Sequence, residues 1–320
     1  MKGGRVLLMN FMIKGTGHAV PERILTNAQL EQMVDTSDEW IVTRTGIRNR
    51  HIMEENETAA ALSAKAAKNA LADSGIKAEE LDLIIGCTVH GDYFTPSLAC
   101  CVQKELGAAC PAFDLNAACS GFLYGLKAAE GFFATGACKK ILIFAYEGMS
   151  RMVNWNDRAT CVLFGDGAGA AVLTEGNGFC ASVLGAKGDE HVLYIKNDCS
   201  GKPFVTMNGQ EVFRFAVSSG CRDIPLVLAQ AGLEPAAVSH VVLHQANERI
   251  IKAIASKLNI PRDRYVMTIQ EYGNTSASSI PIALDLLNRE GKLLNGQYIV
   301  MAAFGGGLTS AACVIKWGAS

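Results

Sequence analysis

The feature that most constrains this chain is that it is written twice. "DSGIKAEELDLIIGCTV" from Asp73 and "QAGLEPAAVSHVVLHQA" from Gln230 share one layout: a helix end, a glycine, an apolar residue, an acidic or proline-bearing linker, then a strand. Gly75 and Gly232 stand 157 residues apart, as do Leu81 and Val238, and the same shift carries "ILIFAYEG" at Ile141 onto "YIVMAAFG" at Tyr298. A register held over so much of each half marks a duplication, so one half must fold as the other does. The repeated units alternate helical stretches with continuous apolar runs such as "LDLIIGCT", "KILIFAYE" and "SHVVLHQA". Runs of that length predict strands buried on both faces, as in an α/β protein.

The places where the halves stop matching are informative. "FGDGAGAAVL" from Phe164 pairs with "FGGGLTSAACVI" from Phe304 at a separation of 140, so the first half carries 17 additional residues near "SRMVNWNDRATCV". That insertion holds Arg151, Trp155, Asn156 and Arg158, and insertions outside a packed scaffold commonly carry binding function. A second region without a twin runs from His18 to Ile52. In it "DTSDEW" supplies a helix N-cap, and Trp40 and Arg44, at i and i+4, share one helical face. Taken alone, that pair reads as a surface helix with a partly packed Trp ahead of a ligand clamp. "MKGGRVLLMNFMIKG" is broken by Lys14 and lacks a small-residue cleavage site, so it reads as a short extension leading into a strand.

Composition narrows the partners. With a net charge of -2 over 320 residues the chain has no general attraction for nucleic acid or an anionic membrane, so an electrostatic partner must be met by a local patch. No apolar run reaches the roughly 20 residues of a membrane span. Eleven cysteines without a Cys-x-x-Cys argue for a reducing cytoplasm and against a disulfide framework or a metal site.

Three polar residues follow apolar runs: Cys119 after "PAFDL", His244 after "VVL" and Asn274 after "YVMTI". Ligands of open α/β sheets gather beyond the carboxyl ends of strands, so the three are expected to converge. "SGFLYGLKAAEGFF" reads as a helix, which would set the Cys119 sulfur at a helix N-terminus that favours a thiolate. Each residue also has a plain structural reading: a packed small hydrophobe, a turn-capping histidine and ordinary Gly-Asn-Thr-Ser turn chemistry.

"VDTSDEWIVTRTGIRNRHI", "FDLNAACSGF", "FGDGAGAAVL", "MNGQEVFRFAV", "HQANERII", "GNTSASSIPIAL" and "AFGGGLTS" stand in the order in which they occur in a known family. From about Gly15 to Trp317 the chain resembles the β-ketoacyl-acyl carrier protein synthase III family, the initiating condensing enzymes of type II fatty acid synthesis within the thiolase superfamily. The resemblance implies a five-layered αβαβα fold built from two similar halves, 1–175 and 176–320, and a cytoplasmic homodimer. It implies a Cys119, His244, Asn274 triad. An acyl-CoA, acetyl-CoA in many members, would acylate the cysteine, and malonyl-acyl carrier protein would be decarboxylated and condensed onto it. No metal or other cofactor is implied, acyl-CoA being a substrate. By the same resemblance the backbone N–H groups of Cys119 and Gly306 form an oxyanion hole. Trp40 and Arg158 sandwich the CoA adenine with Thr36 nearby, and Arg44 lies at the tunnel. Carrier protein docks on Gln245, Ala246, Asn247, Glu248 and Arg249, aided by Arg214 and Lys257, with Lys252 beside them.

Two departures from the family pattern stand out. "FGGGLTSA" replaces "FGGGFTWG", putting Leu308 and Ser310 where aromatic residues are common. "HGDYFT" places Thr95 where a phenylalanine often closes the primer pocket, with Tyr93 and Phe94 at hand to refill it. Same-fold alternatives are starter synthases of polyketide or quinolone pathways, chalcone-type synthases and 3-hydroxy-3-methylglutaryl-CoA synthases. A papain-like hydrolase shares the Cys, His, Asn order but requires a Cys-Gly-Ser-Cys-Trp signature that is absent. A non-catalytic carrier-binding partner would be expected to lack Cys119.

Overall fold

The computed structural model describes residues 10–196 and 203–318. Of the N-terminal extension, the first nine residues lie outside the described ones; the rest enters a strand at Phe11, as expected.

The first sheet has five strands: β1 (Phe11–Ala19), β4 (Leu83–Cys87), β5 (Ala112–Leu115), β6 (Lys140–Gly148) and β7 (Asp166–Glu175), in the order β1-β7-β6-β4-β5. Between β1 and β4 lie the short β2 (Ile24–Thr26) and β3 (Asn49–His51), which pair with each other. The second sheet repeats the plan with β8 (Phe179–Asp189), β11 (Val238–Leu243), β12 (Tyr298–Gly305) and β13 (Gly307–Lys316), ordered β11-β12-β13-β8. A small ribbon of β9 (Leu193–Ile195) and β10 (Val205–Met207) stands apart. The first sheet has two parallel pairings, β4 with β5 and β4 with β6, and the second has one, β11 with β12, in the place corresponding to β4 with β6; each is set beside antiparallel ones. The expected fifth strand of the second half, "YVMTI", contributes only a bridge from Tyr265 to Val241.

The helices are α1 (Asn27–Leu30), α2 (Asp38–Thr45), α3 (Ala59–Ser74), α4 (Leu98–Leu106), α5 (Gly121–Ala134), α6 (Arg158–Cys161), α7 (Gly209–Ala231), α8 (Glu248–Ala255), α9 (Ile269–Tyr272) and α10 (Ser279–Arg289). Side-chain parity assigns them to layers, because successive strand residues face opposite sides. Along β6, Ile141, Ile143 and Ala145 join one core with α5 and α10, while Leu142, Phe144 and Tyr146 join another with α3 and α4. Along β12, Ile299, Met301 and Ala303 enter the first of those cores, and Val300, Ala302 and Phe304 pack under α7 and α8. The result is the expected five layers, with α5 and α10 buried between two sheets. Apart from the edge strand β8, the strands of both sheets are covered on their two faces, which is why they read as unbroken apolar runs.

Close packing of the middle layer depends on Gly125 of α5. A Cβ there would stand 2.6 Å from Cys87 Sγ and from Ile143 Cδ1, so only glycine lets the helix lie this near the sheet. The additional residues of the first half fill the connection from β6 to β7, where the second half has a tight Gly305-Gly306-Gly307 turn. Asp166 ties this insertion down, accepting from the Ser150 amide at 2.8 Å and the Met53 amide at 2.7 Å.

Candidate active site

Cys119 lies in a 3-10 turn, Ala118–Ser120, between β5 and α5. His244 follows β11 two residues after Val242, whose side chain enters the central layer, so parity turns the imidazole the same way. Asn274 does not directly follow a strand as expected; α9 intervenes, and Asn274 is placed instead by a bridge to Phe164. These residues, with Gly306, Thr309 and Phe304, line one cavity of about 1250 Å³. Gly305 holds the glycine turn against the nucleophile: a Cβ on it would stand 2.7 Å from the Cys119 amide nitrogen.

Electrostatically the resting site is neutral. Burial lowers the His244 pKa to about 3, so the ring carries no charge at physiological pH. Its Nδ1 stands 2.8 Å from Ser279 Oγ, and that oxygen also accepts the Gln245 amide N–H at 3.3 Å. The serine proton is then free to point at Nδ1, which leaves the ring proton on Nε2 as a donor. Asn274 Oδ1 accepts from the Ser276 amide at 2.9 Å, leaving its NH2 group to donate. The expected thiolate at a helix N-terminus is overruled at Cys119. Burial pushes its thiol up to about 11, against a hydrogen bond of 3.2 Å from Ser276 Oγ that favours the anion.

The coenzyme-binding candidates form a cluster of their own. Ser37 caps α2 by accepting from the Trp40 amide at 3.1 Å, and Arg44 lies over the Trp40 ring at 5.1 Å from its centroid, the expected i, i+4 pair. Arg158, from α6 in the insertion, reaches the same ring at 4.9 Å, with its Nη1 donating to the Asp35 carbonyl at 2.7 Å. Arginine and tryptophan are therefore stacked directly, and the open sandwich expected for an adenine is closed; a base enters only if Arg158 swings away. Thr36 Oγ1 is buried without a hydrogen-bond partner among the described residues.

The carrier-docking candidates divide. Gln245 is 1% exposed and cannot meet a partner protein. Its amide nitrogen donates to the Leu243 carbonyl at 2.7 Å and its oxygen accepts from the Thr268 amide at 2.9 Å, so it staples β11 to the segment before α9. Ala246 is half-buried on the cavity wall. Asn247 caps α8, accepting from the Arg249 amide at 2.8 Å, and donates to the Arg44 carbonyl at 3.1 Å. Glu248 pairs with Lys252 at 2.8 Å. Arg214 and Arg249 are exposed and, with Arg44, line a groove of about 960 Å³ that shares Met207, Gly209, Phe213 and Asn247 with the main cavity. Lys257 is exposed but outside that groove.

Thr95 lies at the cavity edge on a loop held by Asp114, which accepts the first amides of α4 from Leu98 at 2.6 Å and Ala99 at 2.8 Å. Tyr93 is 63% and Phe94 99% exposed, so neither ring refills the pocket within one chain. The departures at Leu308 and Ser310 lie off the cavity wall; Ser310 Oγ accepts from Arg222 at 3.0 Å instead.

Three residues near the center went unread in the sequence: Ser276, Ser279 and Glu147. A signal existed for Glu147, an acid in phase with Ile141, Ile143 and Ala145 at the end of an apolar strand. Small serines in a serine-rich turn offer none.

Residues 113–188 match a family profile described as 3-oxoacyl-[acyl-carrier-protein] synthase III, and residues 228–317 match the C-terminal profile of the same description. The β-ketoacyl-[acyl-carrier-protein] synthase III of Aquifex aeolicus is 47% identical, over 97% of this chain and all of the relative. That of Clostridium acetobutylicum is 45% identical, over 95% and 98%. Among solved structures, the Aquifex aeolicus synthase superposes with a TM-score of 0.93 at 47% identity, covering 96% of this chain and 100% of that one. The priming β-ketosynthase of the R1128 polyketide pathway does so at 0.92 and 34%, covering 99% of each.

Proposed function

The chain belongs to the 3-oxoacyl-[acyl-carrier-protein] synthase III family, and we propose that its condensing chemistry runs through Cys119, His244 and Asn274. The enzyme is an acyltransferase that takes an acyl group from acyl-CoA and condenses it with malonyl-acyl carrier protein, initiating fatty acid synthesis. The observation that carries the site assignment is the convergence of Cys119, His244, Asn274 and Gly306 on one cavity whose mouth is basic.

In the first half-reaction the Cys119 sulfur attacks the thioester carbon, and the coenzyme departs as a thiol. A thiol ester is exchanged for a thiol ester, so the acyl group remains activated. The oxyanion of the tetrahedral intermediate is held by the backbone N–H groups of Cys119 and Gly306. In the second, the malonyl group loses carbon dioxide and leaves an enolate, which attacks the acyl cysteine and frees the 3-oxoacyl-carrier protein. The enolate oxygen is met by His244 Nε2–H and the Asn274 amide. Support for that role is the low pKa of His244: a neutral donor stabilises developing charge without first binding a malonyl carboxylate. Each donor contributes about 3 kcal/mol to lowering the barrier. As written, neither step calls for a metal or a redox cofactor.

The acyl-CoA binds along Trp40, Arg44 and Arg158, with Thr36 beside them, and the carrier protein docks on Arg214, Arg249 and the half-buried Asn247 and Glu248 beside them, with Lys257 more distant. The groove's arginines suit an acidic partner. The molecule works as a homodimer of two-part chains, 1–175 and 176–320. The unpaired outer edge of β5 and the exposed Phe94 support this, since a sheet edge and a bare aromatic ring are surfaces that proteins cover.

A second reading, a starter synthase that loads a longer or branched acyl group, is favoured by one observation: Tyr93 and Phe94 border the cavity beside Thr95 but stay 63% and 99% exposed, so neither ring fills it. One experiment separates the two. The protein is incubated with a panel of acyl-CoAs and then with malonyl-carrier protein, and intact mass is read for the adduct and the product. Preferential loading of acetyl supports initiation of bulk fatty acids, and preferential loading of a longer group supports the starter reading. No adduct on Cys119 with any primer sinks the mechanism.

A further inference from the structure

Behind the nucleophile lies a carboxyl group that the condensation as written leaves idle. Glu147 is the eighth residue of β6, in phase with Ile143 and Ala145, so its side chain enters the central helical layer, where it is 0% exposed. The carboxyl lies within reach of the Ser276 hydroxyl and the Val89 amide, yet neither oxygen makes a hydrogen bond of good geometry among the described residues. Ser276 Oγ in turn stands 3.2 Å from Cys119 Sγ. The titratable groups around the carboxyl are acids: Asp166 of β7, Cys87 of β4, Cys119 of the turn before α5, and Tyr146 beside it. Leaving a carboxyl unpaired among acids is costly for packing alone, and it stands one hydroxyl away from the sulfur that must lose a proton.

We propose that Ser276 and Glu147 form the relay that takes the thiol proton of Cys119 as acyl-CoA arrives. This rests on Cys119 being the acylated residue. The Ser276 hydroxyl, which donates to the sulfur at rest, turns its proton to the Glu147 carboxylate, and the S–H proton then passes to Ser276 Oγ while the serine's own proton passes to the carboxylate. The sulfur's freed electron pair forms the bond to the thioester carbon, and the carbon–sulfur bond to the coenzyme breaks. The proton returns through Ser276 to the departing thiolate, so the coenzyme leaves as a thiol and Glu147 is again ionised. Burial raises the proton affinity of both the carboxyl and the thiol, so the carboxylate is a stronger base here than an exposed one. His244, held neutral, is left free for the condensation.

The test is the rate of Cys119 acylation by acyl-CoA, followed by intact mass across pH, in the wild type, Glu147→Gln and Ser276→Ala. The wild-type rate is expected to rise with pH as Glu147 ionises. Both variants should acylate on the order of 100-fold more slowly, and their residual rate should lack the Glu147 inflection and follow only ionisation of the Cys119 thiol itself. Once acylated by long incubation, they should condense with malonyl-carrier protein at the wild-type rate. Wild-type acylation rates and pH profiles in both variants would overturn the relay. So would equal slowing of both half-reactions with the pH profile unchanged, since that marks general damage to the site. A wild type that forms no adduct at all would remove the underlying mechanism and the relay with it.

Discussion

Ala118 and Ser276 hold the same place in the two halves. Both are left-handed, at φ of 48° and 50°, and each donates its amide to an asparagine oxygen two residues earlier, Asn116 at 3.0 Å and Asn274 at 2.9 Å. A left-handed conformation costs a residue with a Cβ about 1–2 kcal/mol, so a strained turn is kept in both copies by its surroundings. The two residues are 158 apart, one more than the shift read from the strands. The counterpart of Cys119 is therefore Ala277, and that of Asn274 is Asn116. The same turn presents a nucleophile in one copy and an amide donor in the other.

His244→Ala and Asn274→Ala should still accept an acyl group but release carbon dioxide from malonyl-carrier protein about 100-fold to 1000-fold more slowly. The two half-reactions are followed separately, by adduct mass and by carbon dioxide release. Equal loss in both would end this division of labour.

Ser279→Ala removes the group that sets the His244 tautomer. Condensation should slow by about tenfold while acylation is unchanged, and the imidazole should show a mixture of tautomers by nitrogen NMR. A single unchanged tautomer in the variant would contradict the assignment.

Gln245→Ala should destabilise the fold by about 2–4 kcal/mol, because the buried amides it satisfies at Thr268 and Ile269 are left unpaired. Its folded fraction should keep the wild-type KM for malonyl-carrier protein. Arg249→Glu and Arg214→Glu should instead leave the melting temperature nearly unchanged and raise that KM, most at low salt.

Trp40→Ala and Arg158→Ala should raise the KM for acyl-CoA without changing the rate at which already acylated protein condenses. Equal effects on both steps would mean that the stack only supports the fold.

Glu147 also predicts a pH dependence of stability. Its pKa is raised in the folded protein by burial, so between the unfolded value of about 4.3 and the folded one the native state binds more protons than the unfolded state. Stability contributed by this group is complete below the unfolded value and declines as pH rises toward the folded one. Glu147→Gln should therefore melt at a higher temperature than the wild type at pH 8, with the difference shrinking toward pH 4. A constant difference would mean that the carboxyl is not ionised by this route.

Much of this architecture was legible because it is written in periodicity. A doubled register announced two like units, unbroken apolar runs announced strands without a solvent face, and the 17-residue mismatch announced the insertion that brings Arg158 to Trp40. Cys119 could be picked from eleven cysteines because small residues and a following helix surround it. Those are local properties, and local sequence is enough to specify them. Which groups meet across the two halves is decided only in three dimensions. "HQANERI" reads as a polar surface segment, yet Gln245 is buried as a staple because its chain turns inward between β11 and the bridge at Tyr265. The thiol that a helix N-terminus should ionise is held protonated by the layers packed around it. Ser276 lies 157 residues from Cys119 in sequence and 3.2 Å from it in space. Burial and cross-layer contact arise only when the two sheets close over α5 and α10, and these set the charge of the thiol, the imidazole and Glu147.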